Sequence, residues 1–187
     1  MRLQKNGCYY YFRLERNNEI NAVADGKNIF IFTGMMRFVE NDDQLAAVMA
    51  HELAHNLMGH VKAQENNILL GMLAGAAVDM LATSQGINTG GELGKVGSQI
   101  AMLTYSADFE READYVGLYI LAQAGYDPTA AANLWRRMSI EDPNGIYGSL
   151  THPSNSERFV ALHKAITEID YKRKHNIPLL PDFKTGT

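Results

Sequence analysis

The chain has one cysteine, Cys8, among 187 residues. No internal disulfide can form, which excludes a covalently stapled scaffold. Positive charge is also scarce: 17 Lys and Arg stand against 21 Asp and Glu, a net charge of -4. A nucleic-acid partner or an electrostatic footprint on an anionic membrane is not expected from that balance. The start, "MRLQKNGCYYYF", lacks the apolar stretch of about 7–15 residues that marks a signal peptide. "KNGC" is not a lipidation box either, because a lysine stands where an apolar residue is wanted. There is no internal repeat and no low-complexity tract. What is present is an apolar fraction of 46%, which suits one globular domain with a substantial core. The expectation is a single catalytic domain over 1–187, excised from a longer chain, with an extended tail from about 177 ("PDFKTGT" at its end).

The N-terminal part reads as strand. "CYYYFRLE" (8–15) is aromatic-rich, and "NAVADGKNIFIFTG" (21–34) reads as two extended pieces around an Asp25-Gly26 turn. A helix is expected over about 42–61, opened by Asn41 and Gln44 as cap residues. The most apolar segment, 68–82, is too short for a bilayer at about 22 Å. It reads as a buried Ala/Gly-rich helix, with a membrane-touching or lid segment as the alternative. "TSQGINTGGELG" (83–94) reads as a glycine-rich mobile loop. A helix over 106–125 ends at Gly125, another opens at Asp127-Pro128 and carries Trp135 as a core anchor, and a last one follows a Ser154/Glu157 capping box. Its buried stripe is Phe159, Leu162, Ile166 and Ile169.

One stretch is out of keeping with its apolar surroundings: "AVMAHELAHNLMGH", 47–60. His51 and His55 are four apart, so on a helix they differ by only about 40° in direction and face one metal ion together. Glu52 between them is placed to act as a base toward a water at that ion. Chance supplies this spacing in about one such chain in a hundred, so a third ligand matters. His60, nine residues after His51, points about 180° away on a continuous helix and reads as a helix-end or surface residue. It also misses the H-E-x-x-H-x-x-G-x-x-H spacing, since Met58 and Val61 stand where glycine and histidine are needed. Glu110 and Asp114, again four apart, are the better candidates. Glu110 offers a third ligand, Asp114 an acceptor for a ligand histidine's second ring nitrogen, and Gly117 on the same face lets the two helices come close. The plain alternative is that Glu110, Arg111 and Glu112 form a solvated face.

"HELAHNLMGH", "EREADYVG" and "THPSNSER", in that order, resemble the HtpX/BepA family of zinc metallopeptidases, which includes the CAAX prenyl endopeptidase and the mitochondrial Oma-type proteases. The resemblance runs from about Asn21 to Arg158. It implies one Zn²⁺ per chain on His51, His55 and Glu110 (rather than Glu112), Glu52 as general base, and Asp114 behind a ligand histidine. His152 stands at the family's H-P element, to stabilise the oxyanion or approach the zinc as a fourth ligand. Arg158 downstream would orient Glu110 or bind the oxyanion. "NAVADGKNIFIFTGMM" is similar to the family's strand region, with Asp25-Gly26-Lys27 where Pro-Gly-Gly is common. The strand Ile29–Thr33 would line the cleft as an edge, where Ile29 and Ile31 bind substrate as an added strand, and Asn21 would touch substrate backbone. His163 and His175 read as surface residues.

The expected fold is therefore α+β: a zincin-like metallopeptidase domain with a small, mainly antiparallel N-terminal sheet and a mostly helical body. The expected reaction is zinc-dependent peptide-bond hydrolysis. The resemblance implies polypeptide substrates, among them unfolded or misassembled envelope proteins, and no nucleic acid. The transmembrane helices of the HtpX branch are expected to be absent, which points to the soluble BepA-like branch, in a bacterial periplasm or at its membrane surface. A partner-binding domain is expected outside this chain. Two rivals stand beside this: a zinc-holding chaperone or assembly factor that cuts nothing, which the intact Glu52 opposes, and a zinc hydrolase of another amide or ester.

Overall fold

The computed structural model describes residues 2–5, 8–141 and 156–183, with side chains over 9–99, 107–141 and 158–183. His152 and Ser154 lie outside the described residues. Four strands, β1 (Arg2–Lys5), β2 (Cys8–Glu15), β3 (Ala22–Ala24) and β4 (Asn28–Phe32), form one sheet in the order β1-β2-β4-β3. β1–β2 and β3–β4 pair antiparallel, and β2–β4 pair parallel. The sheet is mainly antiparallel, as expected. The expected edge is not. β4 is an inner strand, hydrogen-bonded to β2 on one side and β3 on the other, and Ile29 and Ile31 are buried in the core. The strand that presents an edge at that end is β3. Gly26, at φ +92°, makes the β3–β4 turn, and Asp25 Oδ1 closes it by accepting from the Lys27 and Asn28 amides at 2.9 and 2.6 Å. Asn21 is a ladder residue: its carbonyl accepts from Phe32 N at 3.2 Å and its Oδ1 from Ala22 N at 2.9 Å.

A short α1 (Thr33–Phe38) leads into α2 (Asp42–Met58), capped by Asn41 Oδ1 accepting from Gln44 N at 2.9 Å. α2 lies in the middle of the molecule. Val48 and Leu53 pack toward the sheet with Ile29, Ile31, Met35 and Leu134. Ala47 and Ala50 pack toward Leu118, Leu121, Leu162 and Ile169 of the later helices. Burial on two sides explains why α2 reads as nearly continuous apolar sequence. Each large apolar side chain so buried contributes about 1.5–3 kcal/mol before the entropy of ordering it.

α2 stops earlier than expected. Gly59 takes φ +73° and ends it, and α3 (His60–Ser84) starts at the next residue. α3 and α4 (Glu92–Gln123) form a long antiparallel hairpin closed by 85–91, so the expected mobile loop shrinks to its tip. The expectation that 68–82 is buried is overturned: Leu69, Leu70, Leu73, Val78, Met80 and Leu81 are all exposed. α3 is one helix long and apolar enough to cross a membrane. α5 (Thr129–Glu141) and α6 (Ser156–Lys174) complete the body. After α6, the chain folds back: Lys172 Nζ donates to Leu180 O at 2.6 Å and Asp182 N to Tyr115 Oη at 2.8 Å.

Candidate metal centre

α2 and α4 cross where Gly117 faces His51. A Cβ on Gly117 would lie 3.1 Å from His51 Cα and 3.2 Å from its N. Glycine is what lets the two backbones approach, and it brings the paired His51/His55 and Glu110/Asp114 faces together. His51 Nε2 lies 3.1 Å from His55 Nε2 and 3.3 Å from Glu110 Oε2, and His55 Nε2 lies 3.3 Å from Glu110 Oε1. All three residues are buried.

This donor set fits a metal ion. Tetrahedral ligands about 2.0–2.1 Å from a zinc are about 3.3–3.4 Å from one another, and the observed spacings fall at that value or just below it. The chemistry agrees, since two imidazoles and a carboxylate are a common catalytic zinc set. Charge agrees too. Glu52, Glu110 and Asp114 are buried carboxylates at the centre, and the buried guanidinium of Arg158 is the one permanent cation among the described residues there. A divalent ion would bring that set to neutrality, which a low-dielectric site demands.

The candidate ligands are held from behind. His51 Nδ1 lies 3.1 Å from Asp114 Oδ1, which orients the ring so that Nε2 faces His55 and Glu110. Asp114 is in turn clamped by Arg158, with Nε to Oδ2 at 2.7 Å and Nη2 to Oδ1 at 2.9 Å. Trp135 Nε1 donates to the same Oδ1 at 3.0 Å, and its ring meets the His51 ring edge-on at 5.4 Å. Arg158 Nη1 also reaches Glu110 Oε2 at 3.0 Å. Burial pushes the Asp114 carboxyl up, but the charge of Arg158 and the His51 and Arg158 hydrogen bonds overcome it and hold it at about 2. Burial pushes His51 down, and Asp114 and Glu110 more than reverse this, to about 10. In the metal-free arrangement the pocket thus draws a positive charge onto His51.

Two residues that the sequence reading set aside belong to the centre. His60 is 3% exposed, not a surface residue. Its Nδ1 lies 3.1 Å from His55 Nδ1, its Nε2 lies 3.0 Å from Glu112 Oε2, and its ring stacks on Phe109 at 4.6 Å. Trp135 is more than a core anchor, through its bond to Asp114. The signal for His60 was Gly59, a residue that ends helices and so voids the angular count through it. Asn56 was also missed. It is buried on α2, and its Oδ1 accepts from Gly26 N at 2.7 Å while its Nδ2 donates to Asn28 O at 3.2 Å. It fastens the β3–β4 turn to the metal helix. His163 and His175 are exposed, as expected.

Residues 2–166 match the model of Peptidase family M48, and the chain belongs to that family of metallopeptidases. It is 31% identical over 172 residues to the mitochondrial metalloendopeptidase OMA1 of Schizosaccharomyces pombe, covering 87% of this chain and 50% of that protein. It is 29% identical over 161 residues to the beta-barrel assembly-enhancing protease of Yersinia pestis, covering 80% of this chain and 33% of that one. Against the protease of that name from Escherichia coli K12 it is 32% identical over 130 residues, covering 65% and 26%. The chain thus spans half or less of these curated relatives.

Proposed function

We propose that this chain is a zinc-dependent endopeptidase with one ion per chain on His51, His55 and Glu110. The observation that carries the proposal is the buried triangle of two Nε2 atoms and one carboxylate with 3.1–3.3 Å edges. A zinc ion held there supplies a Lewis acid for the scissile carbonyl and lowers the pKa of a water. Glu52, one residue after His51 and buried beside the ligands, takes the water's proton and passes it to the leaving amine. Asp114 fixes the His51 ring. Arg158 acts as a positioning residue for Glu110 and Asp114, the geometry favouring this over an oxyanion role.

Substrate backbone adds to the β3 edge rather than to β4. The β3–β4 register, with Asn21 O and Asp25 N bonded to β4, turns the peptide groups of Ala22 and Ala24 away from β4; the buried Ala22 amide is taken by Asn21 Oδ1, so the Ala24 end of β3 is where added backbone would pair. Strand addition binds main chain and tolerates many side chains, which suits unfolded or misassembled polypeptides of a cell envelope, at a membrane surface or in a bacterial periplasm. The relative named for beta-barrel assembly supports an envelope setting, while the OMA1 relative is named mitochondrial. The test is casein cleavage before and after exhaustive chelation, with zinc added back. Activity should vanish and return; activity that survives full metal removal contradicts the reading.

A further inference from the structure

We infer that Asn56 sets the register of the substrate. It ties the β3–β4 turn to the helix that carries His51 and His55, and so fixes which peptide group of a strand added to β3 lies against the candidate metal ligands. The inference rests on the reading of this chain as a peptidase that takes main chain at the Ala24 end of β3; the tie itself does not.

Asn56 lies on the face of α2 that packs against the sheet, three positions after Leu53. It is 7% exposed. A carboxamide in such a place is costly to bury unless its oxygen and nitrogen are both bonded. Both are: Oδ1 accepts from Gly26 N at 2.7 Å, and Nδ2 donates to Asn28 O at 3.2 Å. The preceding residue, His55, is turned about 100° away on the helix, toward Glu110. Adjacent residues of α2 therefore hold the metal centre on one side and the β3–β4 turn on the other.

The turn has what it needs to fold without Asn56. Asp25 Oδ1 accepts from the Lys27 and Asn28 amides, Asp25 Oδ2 from Asn28 Nδ2 at 2.8 Å, and Asp25 N donates to Asn28 O at 3.1 Å. Nor is Asn56 needed to bring helix and sheet together, since Val48 and Leu53 pack with Ile29 and Ile31. Apolar packing is non-directional and leaves the tip of the turn free to slide. Asn56 adds two directional bonds at that tip. Gly26 is two residues from Ala24, whose peptide groups face away from β4. The path from His55 to Ala24 runs through one peptide link, one short side chain, one hydrogen bond and two residues of the turn.

Strand addition makes such a tie matter. Main-chain pairing reads no side chain, so pairing alone does not choose which bond is cut. Slipping an added strand by one residue turns its N–H and C=O groups the wrong way. Slipping it by two restores the pairing and moves the chain by about 6.6–6.8 Å. The cut position is then decided by how firmly Ala24 is held relative to His51, His55 and Glu110. Asn56 supplies that hold and acts as a positioning residue.

The test compares Asn56→Leu, which keeps the side-chain volume and loses both bonds, with Asn56→Ala in the zinc-loaded whole chain. Mass spectrometry of the products of a peptide of defined sequence should show, in both variants, new cuts two residues from the parent's. KM should rise about three- to tenfold, with kcat falling less. The Gly26 amide, slow to exchange with deuterium in the parent, should exchange several-fold faster in both. Zinc per chain should match the parent. Parental cuts and KM in both variants overturn the inference. So does Asn56→Leu matching the parent where Asn56→Ala does not, which makes the residue a filler of volume, and so does loss of zinc from Asn56→Leu, which makes it a support of the metal site. Register is also read without cleavage. On Glu52→Gln, a peptide with a photoreactive group at successive positions should crosslink to β3 from one position, and from a second, two residues away, once Asn56→Leu is added. One unchanged position, or no crosslink to β3 at all, overturns the inference. Failure of the peptidase reading looks different: the zinc-loaded parent cuts nothing while the crosslinks still report the register.

Discussion

His60 Nδ1 stands 3.1 Å from His55 Nδ1, and His60 Nε2 stands 3.0 Å from Glu112 Oε2. A self-consistent proton arrangement follows. His55 donates through Nδ1–H, which leaves its Nε2 for the metal, and His60 donates onward to Glu112. His60→Ala removes the acceptor that sets the His55 ring. Zinc affinity should fall by about 10–100-fold, the usual cost of losing such a partner, with a smaller loss for Glu112→Gln. Competition with a chromogenic chelator measures it, and unchanged affinity in His60→Ala contradicts the arrangement.

Gly117 should not accept a side chain. A Cβ there meets the His51 backbone at 3.1 Å, so Gly117→Ala must push α4 away from α2 and carry Glu110 with it. The expected cost is about 1–3 kcal/mol of stability together with weaker zinc binding. Thermal unfolding with and without zinc reads both; the metal-bound form should lose more.

Arg158 should matter for acid stability through Asp114. The Asp114 carboxyl is held below its ordinary value, at about 2. Its contribution is therefore present above the unfolded-state value near 3.8 and is lost as pH falls through about 2. The amount is of order 2 kcal/mol. Asp114→Asn should flatten the acid limb of metal-free stability between those values. Arg158→Met should be worse than Asp114→Asn, costing about 3–5 kcal/mol, because it strands two buried carboxylates. Denaturant melts across pH decide; an unchanged acid limb in Asp114→Asn contradicts the account.

Zinc uptake should expel a proton. In the metal-free protein His51 is raised to about 10, so its stabilising effect is complete below its ordinary 6.5 and is lost as pH rises through about 10. At pH near 7.5 the ring is protonated and must give up that proton to bind metal, so about one proton should leave per zinc. Titration calorimetry in buffers of different ionisation enthalpy counts it. No release would show that His51 is already neutral.

Much of the centre was legible because it depends on local geometry. Four-residue spacing places His51 with His55 and Glu110 with Asp114 on common faces whatever the rest of the chain does, and Gly117 lies on the same face as the second pair. The misses depend on what spacing does not encode. His60 was counted along a helix that Gly59 breaks, so its direction came out reversed. β4 was read as an edge because nothing local to 28–32 announces that β2 pairs with it in parallel. The 68–82 helix was read as buried because apolar composition is the same for a core helix and for an exposed apolar one; exposure separates them.

The most direct test of the central claim is peptide-bond cleavage by the parent and by Glu52→Gln, side by side, with zinc counted in both. Glu52 is next to the ligands but is not one of them, so the variant should hold one zinc per chain, as the parent does, and cut casein at least about a hundredfold more slowly. Equal cleavage by the two, at equal zinc, would contradict the assignment of Glu52 as the base and with it the mechanism drawn from this site.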